Sequence, residues 1–214
     1  MDAIKINGVC KEFKGNSVLQ DITISFEKGK IHGLIGRNGA GKTVLLKLIC
    51  GLGLPTKGEI WVDGNNIANG SRIPDNIGAI IEVPGFLPDI SGFANLKYLA
   101  GLRNKIGNVE IINAMCAVGL DAKSKKRVGK YSLGMRQRLG IAQAIMEDPD
   151  LLLLDEPMNG LDNQGVKDVK NLLIGLRERG KTIILASHHM EDITELCDDI
   201  YRMECGMLSC IEEF

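Results

Sequence analysis

No run of the chain approaches the roughly 20 uninterrupted apolar residues that a membrane-spanning helix requires. The longest apolar segments are Ile31–Ile35, Leu151–Leu154 and Thr182–Ala186, each too short to cross a bilayer. The start, Met1-Asp2-Ala3-Ile4-Lys5, lacks the basic and apolar regions of a secretory signal, so the cytoplasm is the expected compartment. Charge of one sign is also missing. With 26 Lys and Arg against 27 Asp and Glu, the net charge is -1, which disfavours a strongly basic nucleic-acid binder and predicts no nucleic-acid partner. Six cysteines contain no C-x-x-C pair and do not combine with the three histidines at zinc-finger spacing, so they read as reduced thiols. Internal repeats, low-complexity linkers and long heptad inserts are absent as well.

What is present fits one domain of 214 residues with an inserted subdomain. The first thirty residues alternate loosely between apolar and polar, broken at Lys14-Gly15-Asn16 and Lys28-Gly29-Lys30, which predicts short antiparallel strands. Ile31–Ile35 then forms a compact apolar run, and Val44, Leu45, Leu48 and Ile49 follow at helical spacing. Strand clusters are expected at Gly58–Asp63 and Ile77–Val83. From 88 to 149 the pattern becomes helical, predicting a helical subdomain between a nucleotide-binding core formed by 1–87 and 150–214. Leu151–Leu154 and Ile183–Ala186 read as strands buried on both faces, with a helix at about 165–179 between them, hence a right-handed parallel crossover.

Gly36-Arg37-Asn38-Gly39-Ala40-Gly41-Lys42-Thr43 matches G-x-x-x-x-G-K-[ST] and stands where its mechanism requires, after a buried strand and before a helix. Its glycines let the backbone wrap around phosphate with N–H groups turned inward, and the helix adds its positive dipole end. Lys42 is expected on the β- and γ-phosphates of ATP and Thr43 on Mg²⁺. Leu151–Leu154 delivers Asp155 and Glu156 at the carboxyl end of a strand, the edge at which open α/β sheets hold ligands. Asp155 is expected to hold Mg²⁺ through water, and Glu156 to orient or deprotonate the attacking water.

These motifs resemble the ATP-binding-cassette family, specifically the nucleotide-binding subunit of a transporter. The most specific element is Tyr131-Ser132-Leu133-Gly134-Met135-Arg136-Gln137, which is similar to that family's signature. Met158-Asn159-Gly160-Leu161-Asp162 looks like the loop after the acidic strand, His188 matches the switch histidine, and Phe13 takes the place of the aromatic that stacks on adenine. The resemblance implies an α/β P-loop ATPase core with a mostly parallel sheet, an N-terminal antiparallel β subdomain and the helical insert. It further implies that Ser132 and Gly134 face ATP on a second cassette, so that two cassettes close head to tail. A separate membrane permease is the other implied partner, placing the chain on the inner face of the membrane. A soluble cassette acting on a non-membrane partner is the alternative.

Two positions depart from the family pattern. Val44 follows Thr43 where a second hydroxyl is usual, removing one contact to the α-phosphate. Glu82 replaces the glutamine that follows the strand at 77–81, which resembles the branch associated with export of, or immunity to, bacitracin-like and lantibiotic peptides. The Glu82 carboxylate is expected to reach toward Mg²⁺ or the attacking water. Phe86 and Leu87, between Pro84, Gly85 and Pro88, are expected to be covered by the permease.

Overall fold

Apolar–polar alternation in the first 27 residues builds two long strands, β1 (Asp2–Phe13) and β2 (Asn16–Glu27), paired antiparallel. Lys14 and Gly15 turn the hairpin with positive φ values of 49° and 83°, the backbone a tight two-residue connection needs. The expected short strands are therefore 12 residues each, kept from flattening by register shifts such as the one between Ile6 and Val9. The structure, a computed structural model, describes residues 1–70 and 74–211.

Next in the chain are β3 (Ile31–Ile35), α1 (Lys42–Ile49), β4 (Lys57–Val62), β5 (Asn65–Asn66) and β6 (Ile77–Ile80). Helices α2 (Gly92–Arg103), α3 (Asn108–Ala117) and α4 (Leu133–Ile145) occupy the region where helical periodicity dominates. The remainder is β7 (Leu151–Asp155), α5 (Asn163–Glu178), β8 (Thr182–Ser187), α6 (Met190–Thr194), β9 (Asp199–Glu204) and β10 (Met207–Ile211).

One sheet has the order β2-β1-β4-β5 and is antiparallel. The other has the order β10-β9-β3-β8-β7-β6. Its neighbours run parallel throughout, except that β10 returns antiparallel on β9 at the edge. Every residue of β3, β7 and β8 is buried, because helices or the other sheet cover both faces of a parallel sheet. On one face, Leu152, Leu154, Ile183 and Leu185 pack with residues of α2, α3, α4 and α5. On the other, Leu153, Ile184 and Ala186 pack with α1 and with Ile4, Ile6 and Phe26 of the antiparallel sheet. The Gln20 amide donating to the Gly206 carbonyl at 2.8 Å ties that sheet to the β9–β10 turn.

The strand expected over 77–83 stops at Ile80. Glu82 adopts φ 62°, which turns the chain out of the sheet. Helix starts follow side-chain chemistry: Ser91, Ser132 and Asp162 cap α2, α4 and α5 by accepting from backbone N–H groups three residues on.

Candidate active site

The carboxyl ends of β3 and β7 are both next to β8, so the loop after β3 and the acids after β7 open on one sheet edge. Gly41 takes φ 113° as the loop enters α1, and a Cβ there would press on Leu19 Cδ2 at 2.8 Å. Only glycine meets both conditions. Lys42 then folds back across its own loop. Its ammonium, 6% exposed, donates to the Gly36 carbonyl at 2.5 Å and the Arg37 carbonyl at 3.4 Å, and lies 3.9 Å from Glu156 Oε1. A cation so desolvated requires negative partners, and a polyphosphate supplies them more strongly than neutral carbonyls do.

Thr43 Oγ1 donates to Asp155 Oδ2 at 2.6 Å, bringing together two residues 112 positions apart. Burial pushes the Asp155 carboxyl above its ordinary range, and the Glu156 charge adds to the rise. The Thr43 hydroxyl, Lys42 and the Glu82 backbone N–H oppose it. A hydroxyl and a carboxylate oxygen in contact, with added negative charge beside them, suit a hard cation that keeps several waters, as Mg²⁺ does.

Glu156 occupies the left-handed region at φ 50° and donates its N–H to the Ala186 carbonyl at 2.8 Å. Its side chain is thereby aimed along the end of β8. Oε1 lies 2.7 Å from His188 Nδ1, and Oε2 accepts from Ser187 Oγ at 3.4 Å. The Glu156 carbonyl accepts from Gln137 Nε2 at 3.1 Å, a contact that links the α4 helix to the acid. The His189 ring packs against His188 with centroids 3.9 Å apart.

A cleft of ≈ 750 Å³ joins these groups; Arg37, Asn38, Gly39 and Ala40 line it, and so does Val44. It has room for a nucleotide triphosphate. Some expected residues lie elsewhere. Phe13, 50% exposed at the end of β1 with the Lys11 ammonium 4.7 Å above its ring, is outside the cleft lining, whereas Val18 of β2 is part of it. The signal for Val18 was a strand position left half-buried. Ser132 Oγ accepts from the Met135 N–H at 3.2 Å as a helix cap, and Gly134 packs so closely on the Gly160 carbonyl that a Cβ would stand 2.8 Å from it. Neither lines the cleft of its own chain.

In this structure the Glu82 carboxylate, 62% exposed, pairs with Lys47 Nζ at 2.6 Å. Its left-handed backbone, φ 62°, and the pairing place its side chain against α1. Phe86 is half-buried against the helical core, while Leu87 is 51% and Val83 82% exposed.

A family model described as ABC transporter matches residues 19–159. The chain belongs to the ABC transporter family. It is an ATP-binding subunit of such a transporter. The cassette is 43% identical to the ABC transporter ATP-binding protein YybJ of Bacillus subtilis (strain 168), over 98% of this chain and 96% of that one. It is 41% identical to the bacitracin transport ATP-binding protein BcrA of Enterococcus faecalis, over 96% of this chain and 67% of that one. Among solved structures, the dimeric post-hydrolysis state of the ATP-binding cassette MJ0796 bound to ADP and Pi aligns at a TM-score of 0.89. That alignment has 20% identity and covers 99% of this chain and 100% of that one. Among the described residues, no helix is long and apolar enough to cross a membrane.

Proposed function

We propose that the cassette hydrolyses Mg²⁺-bound ATP in this cleft and thereby drives a membrane permease that moves a peptide antibiotic of the bacitracin type. The observation that carries the reading is the meeting of Lys42, the Thr43–Asp155 pair and Glu156 on one cleft, with His188 bonded to Glu156 from outside its lining. The loop Gly36–Thr43 holds the phosphates with its amides, and the Lys42 ammonium exchanges its two carbonyl partners for β- and γ-phosphate oxygens. Thr43 and Asp155 hold Mg²⁺. When bound there, that ion would supply positive charge to offset the charge that develops on the phosphate.

Glu156 takes a proton from the attacking water as the water oxygen bonds to the γ-phosphorus. The bond from that phosphorus to the β–γ bridging oxygen breaks, giving ADP and phosphate. His188 fixes the Glu156 carboxylate through Nδ1, so proton transfer starts from one orientation. Val44 offers no hydroxyl to the α-phosphate. Phe13, outside the cleft lining, would offer its exposed ring to the base, and Val18 is part of the cleft wall.

The chain works as one cassette over 1–214, with 88–149 as the subdomain that carries Ser132 and Gly134 to a second cassette. The Ser132 hydroxyl and the first turn of α4 form an anion-binding end; Leu133 and Arg136 of that turn line the cleft of their own chain while Ser132 and Gly134 do not, which leaves those two for the nucleotide of the second cassette. Exposed Val83 and Leu87 near the cleft give the permease an apolar footing. The likeness to BcrA supports the peptide assignment, and with the permease bound the cassette sits on the cytoplasmic face. The balanced charge favours no nucleic-acid partner.

The test is phosphate release from ATP by the chain purified alone and with the multispanning protein that co-purifies from native membranes. Mg²⁺-dependent release that bacitracin stimulates in the assembled complex is the expected result. No ATP-dependent release in either preparation would overturn the hydrolytic reading, and an unresponsive but active complex would overturn the substrate.

A further inference from the structure

Helix α1 presents Thr43 and Lys47 four residues apart, hence on the same face and one turn from each other. Thr43 bonds Asp155, and Lys47 bonds Glu82. The Glu82 side chain pairs with Lys47 at 2.6 Å, and its backbone N–H is on the side of the Asp155 carboxylate, whose charged form it favours. The non-glycine φ of 62° at this turn is uncommon and costs some energy. Three carboxylates, Asp155, Glu156 and Glu82, line one cleft that also has to take a polyphosphate. Lys42 is committed to its own loop and lies beside Glu156, so the cation that meets Glu82 is Lys47.

We propose that Lys47 is a positioning residue of the ATPase. In this conformation it holds the Glu82 carboxylate off the Thr43–Asp155 oxygens and offsets its charge, and it releases that carboxylate toward the metal side of the cleft when Mg²⁺–ATP binds. The pair is suited to exchange because both side chains are partly solvated, and such pairs are weak. Without Lys47 the Glu82 charge stands uncompensated near the phosphates. ATP without Mg²⁺ then binds less well, while ATP with Mg²⁺, whose cation attracts the freed carboxylate, does not lose affinity.

This inference rests on reading Thr43 and Asp155 as the Mg²⁺ site. The experiment titrates a fluorescent ATP analogue into the purified full chain, in excess Mg²⁺ and in chelator, and takes the ratio of the two affinities. Lys47→Met and Lys47→Gln should each widen that ratio by about threefold, the scale of a partly exposed ion pair, and Lys47→Arg should leave it near the wild-type value. In a Glu82→Gln background, Lys47→Met should change the ratio little, because its partner has no charge to hold. A ratio unmoved by Lys47→Met, or moved equally in both backgrounds, overturns the role of Lys47. Thr43→Ala forms a separate arm: if it leaves the Mg²⁺ dependence intact, the metal site itself is misassigned and the Lys47 proposal falls with it.

Discussion

His188 Nδ1 and Glu156 Oε1 lie 2.7 Å apart, joining the residue just past β8 to the residue just past β7. Those strands are hydrogen-bonded neighbours, with Asp155 opposite Ala186, so the sheet itself sets the separation. The carboxylate therefore has a fixed direction before any substrate arrives.

Replacing Glu156 by Gln removes the base and keeps the shape. Hydrolysis should fall about 10²- to 10⁴-fold, the usual contribution of a general base, with ATP binding retained and a closed dimer accumulating. Phosphate release, equilibrium nucleotide binding and sedimentation measure the three effects. A Glu156→Gln subunit that turns over at the wild-type rate in the assembled transporter would remove Glu156 from this role.

Sharing of ATP between two cassettes is tested by mixing. Lys42→Ala and Ser132→Arg subunits should each be nearly inactive, yet the mixed dimer has one interface with both Lys42 and Ser132 intact. Activity of the mixture should exceed that of either variant alone. If mixed dimers form and activity stays at the single-variant level, ATP is not shared in the proposed way.

The permease footing is assigned to Val83 and Leu87, because Phe86 is turned into the helical core. Leu87→Glu, outside the cleft lining, should leave nucleotide binding unchanged and reduce co-purification with the membrane subunit several-fold. Phe86→Glu should instead lower the melting temperature, since it inserts a charge among apolar side chains. Full recovery of the membrane subunit with Leu87→Glu would place the contact elsewhere.

His32 gives the fold a defined acid sensitivity. It is fully buried in β3, and Nε2–H donates to the Glu27 carbonyl at 2.9 Å. Nδ1 lies 3.2 Å from Asp199 Oδ2 without hydrogen-bond alignment. Burial pushes the imidazole pKa below its ordinary 6.5, against the opposing Glu27 carbonyl and Asp199 charge. The folded chain then binds fewer protons than the unfolded chain just below pH 6.5, so stability present above that pH is lost as pH falls through the lowered value. Denaturant titrations from pH 7.5 to 5 should show this loss, and His32→Gln should flatten it. An unchanged slope would mean that His32 is not the group responsible.

Gly78 tests how tightly the helical region is seated on the sheet. A Cβ at this β6 position would lie 1.9 Å from the Ala144 carbonyl oxygen of α4. Gly78→Ala should therefore cost about 1–3 kcal/mol or more by overpacking, read as a shift in the urea midpoint. A neutral result would mean that α4 is free to move away from β6.

Much of this was legible in the residues because the signals were local. The loop Gly36–Thr43 carries its own geometry, since Gly41 must take a positive φ and Lys42 must begin a helix. Burial on both faces of β3, β7 and β8 follows from apolar runs that have no polar side to present to water.

The contacts that sequence reading missed all cross long distances in the chain. Gln137 meets the Glu156 carbonyl, Val18 replaces Phe13 in the cleft wall, and Glu82 turns from Asp155 to Lys47. Each depends on where a strand or helix lies in the assembled sheet, which periodicity does not encode. By itself the sequence determined most of the elements that form and where the glycine loop, the paired acids and the histidines stand along the chain, because those follow from backbone freedom, charge and spacing along one segment. Only the tertiary structure decided which of those side chains meet. Strand order brings β7 beside β6 and β8, and one left-handed residue just past β6, Glu82, directs its carboxylate to Lys47 of α1.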